Sequence, residues 1–93
     1  MIRSFRNEAA RAAWERRFIK GVPQAVLRIG NRKLTQLHNA RSLVDLRAPP
    51  GNRLEALSGD RAGQHSIRIN DQYRLCFVWH DGDAFDVEIV DYH

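Results

Sequence analysis

Along the first half of the chain apolar residues recur every three or four positions, and along the second half every two. The change of period marks a change of structure. Asn7 offers an N-cap, Glu8 complements the helix dipole, and Ala10, Ala13, Trp14 and Phe18 fall on one helical face, which predicts a first helix ended by "KGVP". Pro23 fits the first turn of a second helix, whose stripe is Val26, Ile29, Leu34, Leu37 and Ala40. Gly30 weakens that helix by about 1 kcal/mol relative to alanine. The helix, or the helix plus a continuation through Leu46, must stop before "APPGN", where two prolines and a glycine force a loop. Ahead of both helices, "MIRSF" alternates as a short strand does.

After the proline loop, "RLEAL" (53–57), "HSIRIN" (65–70), "YRLCFVW" (73–79) and "AFDVEIVDY" (84–92) alternate with period two, separated by "SGDRAG", "NDQ" and "HDGD". Connections this short join antiparallel neighbours, because a parallel crossover takes a dozen or more residues. The predicted order is an N-terminal strand, two helices and an antiparallel four-strand meander, an α+β domain with helices on one sheet face. Alternation puts Phe85, Val87, Ile89 and Asp91 on the helix side of the last strand, and Asp86, Glu88, Val90 and Tyr92 on the other. Both sides of the 73–79 strand carry apolar groups, as in a central strand. Arg74 lies on the face opposite Tyr73, Leu75, Phe77 and Trp79, and an arginine on a central strand is costly to bury unpaired, so it faces an open groove or pairs with a carboxylate. Trp14 and Trp79 fall at core spacing.

Ninety-three residues make one domain, residues 1–93, and 43% hydrophobic with 28% charged residues is ordinary for a folded globular chain. No stretch approaches the roughly 18 apolar residues of a membrane span, and nothing marks the chain for export. Cys76 has no partner for an internal disulfide and reads as a small buried hydrophobe, which suits a reducing cytoplasm. Charge adds something. Of 15 basic residues only Lys20 and Lys33 are lysines, and the net charge is +4. Arginine pairs bidentately with phosphate and stacks on bases, so a polyanionic partner such as nucleic acid is expected.

His38, His65, His80 and His93 are scattered, and neither they nor the carboxylates make a metal motif. Serine-nucleophile signatures and phosphate-binding glycine loops are absent as well. An enzyme of this kind would use side chains alone, without a cofactor. RNA cleavage fits such a toolkit, because RNA brings its own nucleophile, the 2′-OH. The chain must then take that proton, protonate the leaving 5′-oxygen and stabilise charge on phosphate. The C-terminal "DYH" (Asp91, Tyr92, His93) and Arg74 offer those groups, with His93 suited to be the general acid.

The run "NRLEALSGDRAGQHSIRINDQYRLCFVW", the terminal "DVEIVDYH" and the opening "MIRSF" resemble the HigB-type toxins of the RelE superfamily, loosely through the helices and tightly from Asn52 to His93. The resemblance implies a ribosome-dependent, metal-independent endoribonuclease that cuts translated messenger RNA. It implies a helix-turn-helix antitoxin of HigA type as partner, with operator DNA reached only through that antitoxin. It makes Asp91, Tyr92, His93 and Arg74 catalytic candidates. Two positions depart from the pattern. Glu55 stands where some members have histidine, and Ser58 where they have lysine, so Glu55 becomes a candidate base and weaker or differently selective cleavage is expected. Arg53, Arg61 and Arg68 are candidates for RNA backbone contacts, and His65 for stacking on a base. Competing expectations are a relative that inhibits a protein target such as gyrase, and a module whose basic surface serves only to bind an acidic antitoxin segment.

Overall fold

A computed structural model describes residues 1–92; His93, the expected general acid, lies outside the described residues. Helix α1 spans Glu8–Trp14 and α2 spans Gln24–Asn39. After a 3₁₀ turn over Leu43–Arg47 and the proline loop come β1 (Glu55–Ala56), β2 (Gln64–Arg68), β3 (Tyr73–His80) and β4 (Asp83–Asp91). They form one antiparallel sheet in the order β1-β2-β3-β4, the expected meander.

Local chemistry sets the boundaries. Asn7 Oδ1 accepts the Ala10 N–H at 3.0 Å and opens α1. The helix stops two turns later than it starts, earlier than the spacing predicts. Arg16 takes φ +60, and the N–H groups of Arg16 and Arg17 return to the carbonyls of Ala13 and Ala12, a Schellman-type closure. Phe18 therefore leaves the helical face and stands 53% exposed. In α2, Gly30 is a contact point rather than a weakness: a Cβ there would lie 3.1 Å from Ile89 Cδ1 and 3.4 Å from Ala13 Cβ. The absence of a side chain lets α2 approach both α1 and the sheet. Asp81 and Gly82 both take positive φ in the two-residue turn between β3 and β4, as a primed hairpin turn requires.

The opening segment forms two isolated parallel bridges to β4, Ile2 with Ala84 and Phe5 with Val87, in place of a continuous strand. The reason is a bulge. β4 carries an extra residue between the pairs Val78–Phe85 and Cys76–Glu88, and Asp86 adopts φ +51 there. The Asp86 N–H is taken by Ser4 Oγ at 2.8 Å. The bulge also corrects the face assignment. Ala84 and Val87 are fully buried, whereas Phe85 is half-buried and pairs with Val78 on the side away from the helices.

The core lies between the helices and one sheet face. Ala10, Ala13, Val26, Leu27, Leu34 and Leu37 meet Ile67, Leu75, Phe77, Val87 and Ile89, with Trp14 and Trp79 packed against its margin as expected. Among the described residues no helix packs on the other face.

Candidate functional site

Register places one row of side chains across the uncovered face, with Glu55 paired to Ser66, Ser66 to Cys76 and Cys76 to Glu88. Ser66 and Cys76 are fully buried and Glu88 is 8% exposed, although no secondary-structure layer covers them. Arginine arms cover them instead. Arg74 donates from Nε to Ser66 Oγ at 2.8 Å and from Nη2 to the Arg53 carbonyl at 2.8 Å. Its Nη2 also stands 3.9 Å from Glu55 Oε1, and its guanidinium lies 5.9 Å from the centre of the Tyr92 ring. Arg61 donates from Nη1 to both Glu88 Oε1 and Gln64 Oε1. The Glu88 carboxylate raises the Arg61 pKa above its already high ordinary value, so this group stays cationic. Burial pushes the Cys76 thiol up, which keeps it protonated and inert near neutrality.

The proline loop sets the position of the Arg53 carbonyl. Asn52 is fully buried, and its Nδ2 donates to Gln36 Oε1 and to the Leu46 and Ala48 carbonyls at 3.0 to 3.3 Å. Its Oδ1 accepts from Lys33 Nζ. Burial, with Arg32 and Arg68 nearby, lowers the Lys33 pKa. Arg53 follows in the left-handed region at φ +46, which turns its carbonyl toward Arg74.

Beside the row lies an open cavity of about 240 Å³ lined by Glu55, Ala56, Leu57, Ser58, Arg61 and Tyr92. Three of the predicted positions, Glu55, Arg61 and Tyr92, thus share one cavity, and Arg74 adjoins it through Glu55 and Tyr92. The arrangement is two fixed cations, a carboxylate and a phenol around a polar hollow. It can receive an anion such as phosphate. Among the described residues no group of three or more His, Cys, Asp or Glu side chains could hold a metal ion.

Other predicted residues lie elsewhere. Arg68 shares the face and pairs opposite Arg74, but its guanidinium is engaged by Asp71. Asp91 pairs with Tyr73 at the other side of the strand, and its carboxylate accepts from Gln72 Nε2 at 3.0 Å. Asp91 and Tyr92 therefore diverge, as strand alternation predicts. His65 is not on this face: its ring stacks on Phe77 at 6.2 Å and 24°, on the helix side of the sheet. Sequence reading missed Glu88 and Ser66 as anchors of the two arginines. The one available signal was Glu88 on the same face as Arg74, a carboxylate opposite an otherwise apolar strand position. A larger groove of about 680 Å³ runs between α1 and α2 past Phe18 and Ile29, and none of the predicted site residues lines it.

Known proteins are similar to this sequence. Residues 3–93 match the family described as RelE-like toxin of type II toxin-antitoxin system HigB. Toxin HigB-1 of Vibrio cholerae serotype O1 is 48% identical over 65 residues, covering 70% of this chain and 68% of that protein. Endoribonuclease HigB of Proteus vulgaris is 34% identical, with both chains covered completely. A third relative, an uncharacterised protein of Haemophilus influenzae, is 34% identical over 63 residues. A family match across almost the whole chain, on an α+β fold of two helices and a four-strand meander, means that this protein belongs to the HigB family of RelE-like toxins of type II toxin–antitoxin systems.

Proposed function

We propose that this toxin is an endoribonuclease that cuts messenger RNA on the ribosome through the uncovered face of its sheet. The observation that carries this reading is the pair of anchored guanidiniums, Arg74 and Arg61, beside the cavity lined by Glu55 and Tyr92. The name of the Proteus vulgaris relative, an endoribonuclease, supports the same chemistry.

In the proposed reaction the 2′-oxygen attacks the adjacent phosphorus, the 2′-O–P bond forms and the P–O5′ bond breaks. Glu55 accepts the 2′-OH proton. Its carboxylate is more than half exposed at the cavity wall, so an incoming ribose can reach it. His93 donates a proton to the leaving 5′-oxygen, a role that rests on its place in the terminal "DYH". Arg74 and Arg61 stabilise the charge that builds on the phosphoryl oxygens, and fixed donors need no reorganisation at that moment. Tyr92 contributes a ring against which a flanking base can stack. Asp91, tied to Gln72, holds the strand end rather than touching substrate. Positioning by the ribosome supplies the alignment that so small a surface lacks.

A type II toxin has an antitoxin as its partner, and a helix-turn-helix protein of HigA type fits that place. It is also the route by which operator DNA would be reached. The reaction compartment is the cytoplasm, where ribosomes are. The test is expression without antitoxin of wild type, Arg74→Ala and His93→Ala, with translation followed and messenger ends mapped on ribosomes. New RNA ends with wild type, lost in both variants, are expected. Growth arrest without new ends would favour inhibition of a protein target instead.

A further inference from the structure

We propose that Glu88 is a positioning residue that holds Arg61 over the cavity, an inference that rests on the endoribonuclease reading above. Arg61 closes a short 3₁₀ turn, Gly59–Arg61, in a segment flanked by Gly59 and Gly63, both at positive φ. A long side chain on such a loop has no fixed direction of its own. Glu88 does, because it sits in the interior of nine-residue β4, opposite Cys76 on β3. Its side chain is 11% exposed against 33% for Arg61, so the carboxylate is the more deeply seated half of the pair.

A carboxylate at that depth is costly unless it is paired. Glu88 spends its pairing on Arg61, with Arg6 standing off at 3.9 Å on the other carboxylate oxygen. Gln64 Oε1 takes a second bond from the same nitrogen, Nη1, at 3.0 Å. Both anchors therefore grip one corner of the guanidinium. The Nε–Nη2 edge, the bidentate face that phosphate recognition uses, is engaged by neither anchor, and Arg61 lines the cavity. Arg74 is anchored through other atoms: its Nε and Nη2 donate to Ser66 Oγ and the Arg53 carbonyl, so Nη1 is the nitrogen those anchors leave over. The row Glu55–Ser66–Cys76–Glu88 thus carries an anchored arginine toward each end.

A purely structural Glu88 would change stability, and its effect on cleavage would be independent of Arg61. A positioning Glu88 acts through Arg61, so the two substitutions must not multiply. Single-turnover cleavage of messenger on programmed ribosomes is measured for wild type, Glu88→Gln, Arg61→Ala and the double variant, with ribosome affinity measured alongside. Glu88→Gln is expected to slow cleavage about 10-fold at unchanged affinity, within the range that small misplacements cause. The double variant is expected within about twofold of Arg61→Ala. Multiplicative losses, or Glu88→Gln cutting at the wild-type rate or faster, would overturn the inference while leaving the reaction intact. Wild type that leaves programmed ribosomes uncut would overturn the endoribonuclease reading and this inference with it. If Glu88→Gln does not fold by circular dichroism, Glu88→Asp, which keeps the charge and shortens the arm, enters the same cycle. It is expected to show a smaller loss that again vanishes in the Arg61→Ala background, and a loss that persists there overturns the inference.

Discussion

The two faces of β3 divide the work of the molecule. On the covered side Leu75 and Phe77 are wholly buried against the helices in a cluster of apolar side chains. On the other side Cys76 and its cross-strand neighbour Ser66 are just as buried, yet what buries them is polar and directional. One face is closed by a layer, the other by arginines. Burial alone does not identify core, and a buried residue beneath a charged arm belongs to the site.

That contrast can be broken most forcefully from the covered side. Phe77→Ala should lower unfolding free energy by about 3–5 kcal/mol, as cavity-forming aromatic truncations do, read as a shift of the denaturant midpoint. Any activity lost should track the unfolded fraction. Arg74→Ala should do the reverse: a loss of about 10²- to 10³-fold in cleavage rate, as for removal of a fixed donor to a developing anion, with a folded circular-dichroism spectrum. Should Arg74→Ala unfold the protein, the two faces would not be separable.

A gain sharpens the comparison further. Glu55 and Ser58 line the cavity, at the two positions where the family resemblance leads us to expect an imidazole and an amine. Glu55→His with Ser58→Lys should raise cleavage about 10-fold, at the lower edge of what acid–base groups contribute, and the codons cut should shift. The smallest effect concerns the tether of the chain start. The ammonium of Met1 and the guanidinium of Arg3 hold Asp83 below its ordinary carboxylate range. A carboxylate with a lowered folded pKa stabilises above its unfolded value of 3.8 and loses that contribution as pH falls through the folded one. The pair is exposed to solvent, so the melting temperature of Asp83→Asn should differ only slightly from wild type at pH 7. The difference should shrink with salt and vanish in strong acid.

Much of this was legible from the chain. The meander followed from period-two runs joined by short turns, and the separation of Arg74 from Leu75 and Phe77 onto opposite faces followed from alternation along β3. Three features were not legible, each because it depends on partners distant in sequence. Arg16 entering the left-handed region ends α1 before Phe18, a closure that apolar spacing does not announce. The bulge at Asp86 resets the faces of β4, so Phe85 turned away from the helices while Ala84 turned in. Ser66 and Glu88 became anchors only once register set them across from Cys76. His65 shows the limit in the other direction: an imidazole in a basic strand suggested a base to stack on, and the ring it meets is Phe77.

The most direct measurement is the chemistry of the cut ends. Messenger bound to programmed ribosomes is treated with wild type and Arg74→Ala, and the termini of the fragments are determined. Attack by the 2′-oxygen requires a 2′,3′-cyclic phosphate, or its hydrolysis product, on one fragment and a 5′-hydroxyl on the other, both far less abundant with Arg74→Ala. Fragments ending in 5′-phosphate, or cyclic ends formed equally well by Arg74→Ala, would contradict cleavage by the uncovered face.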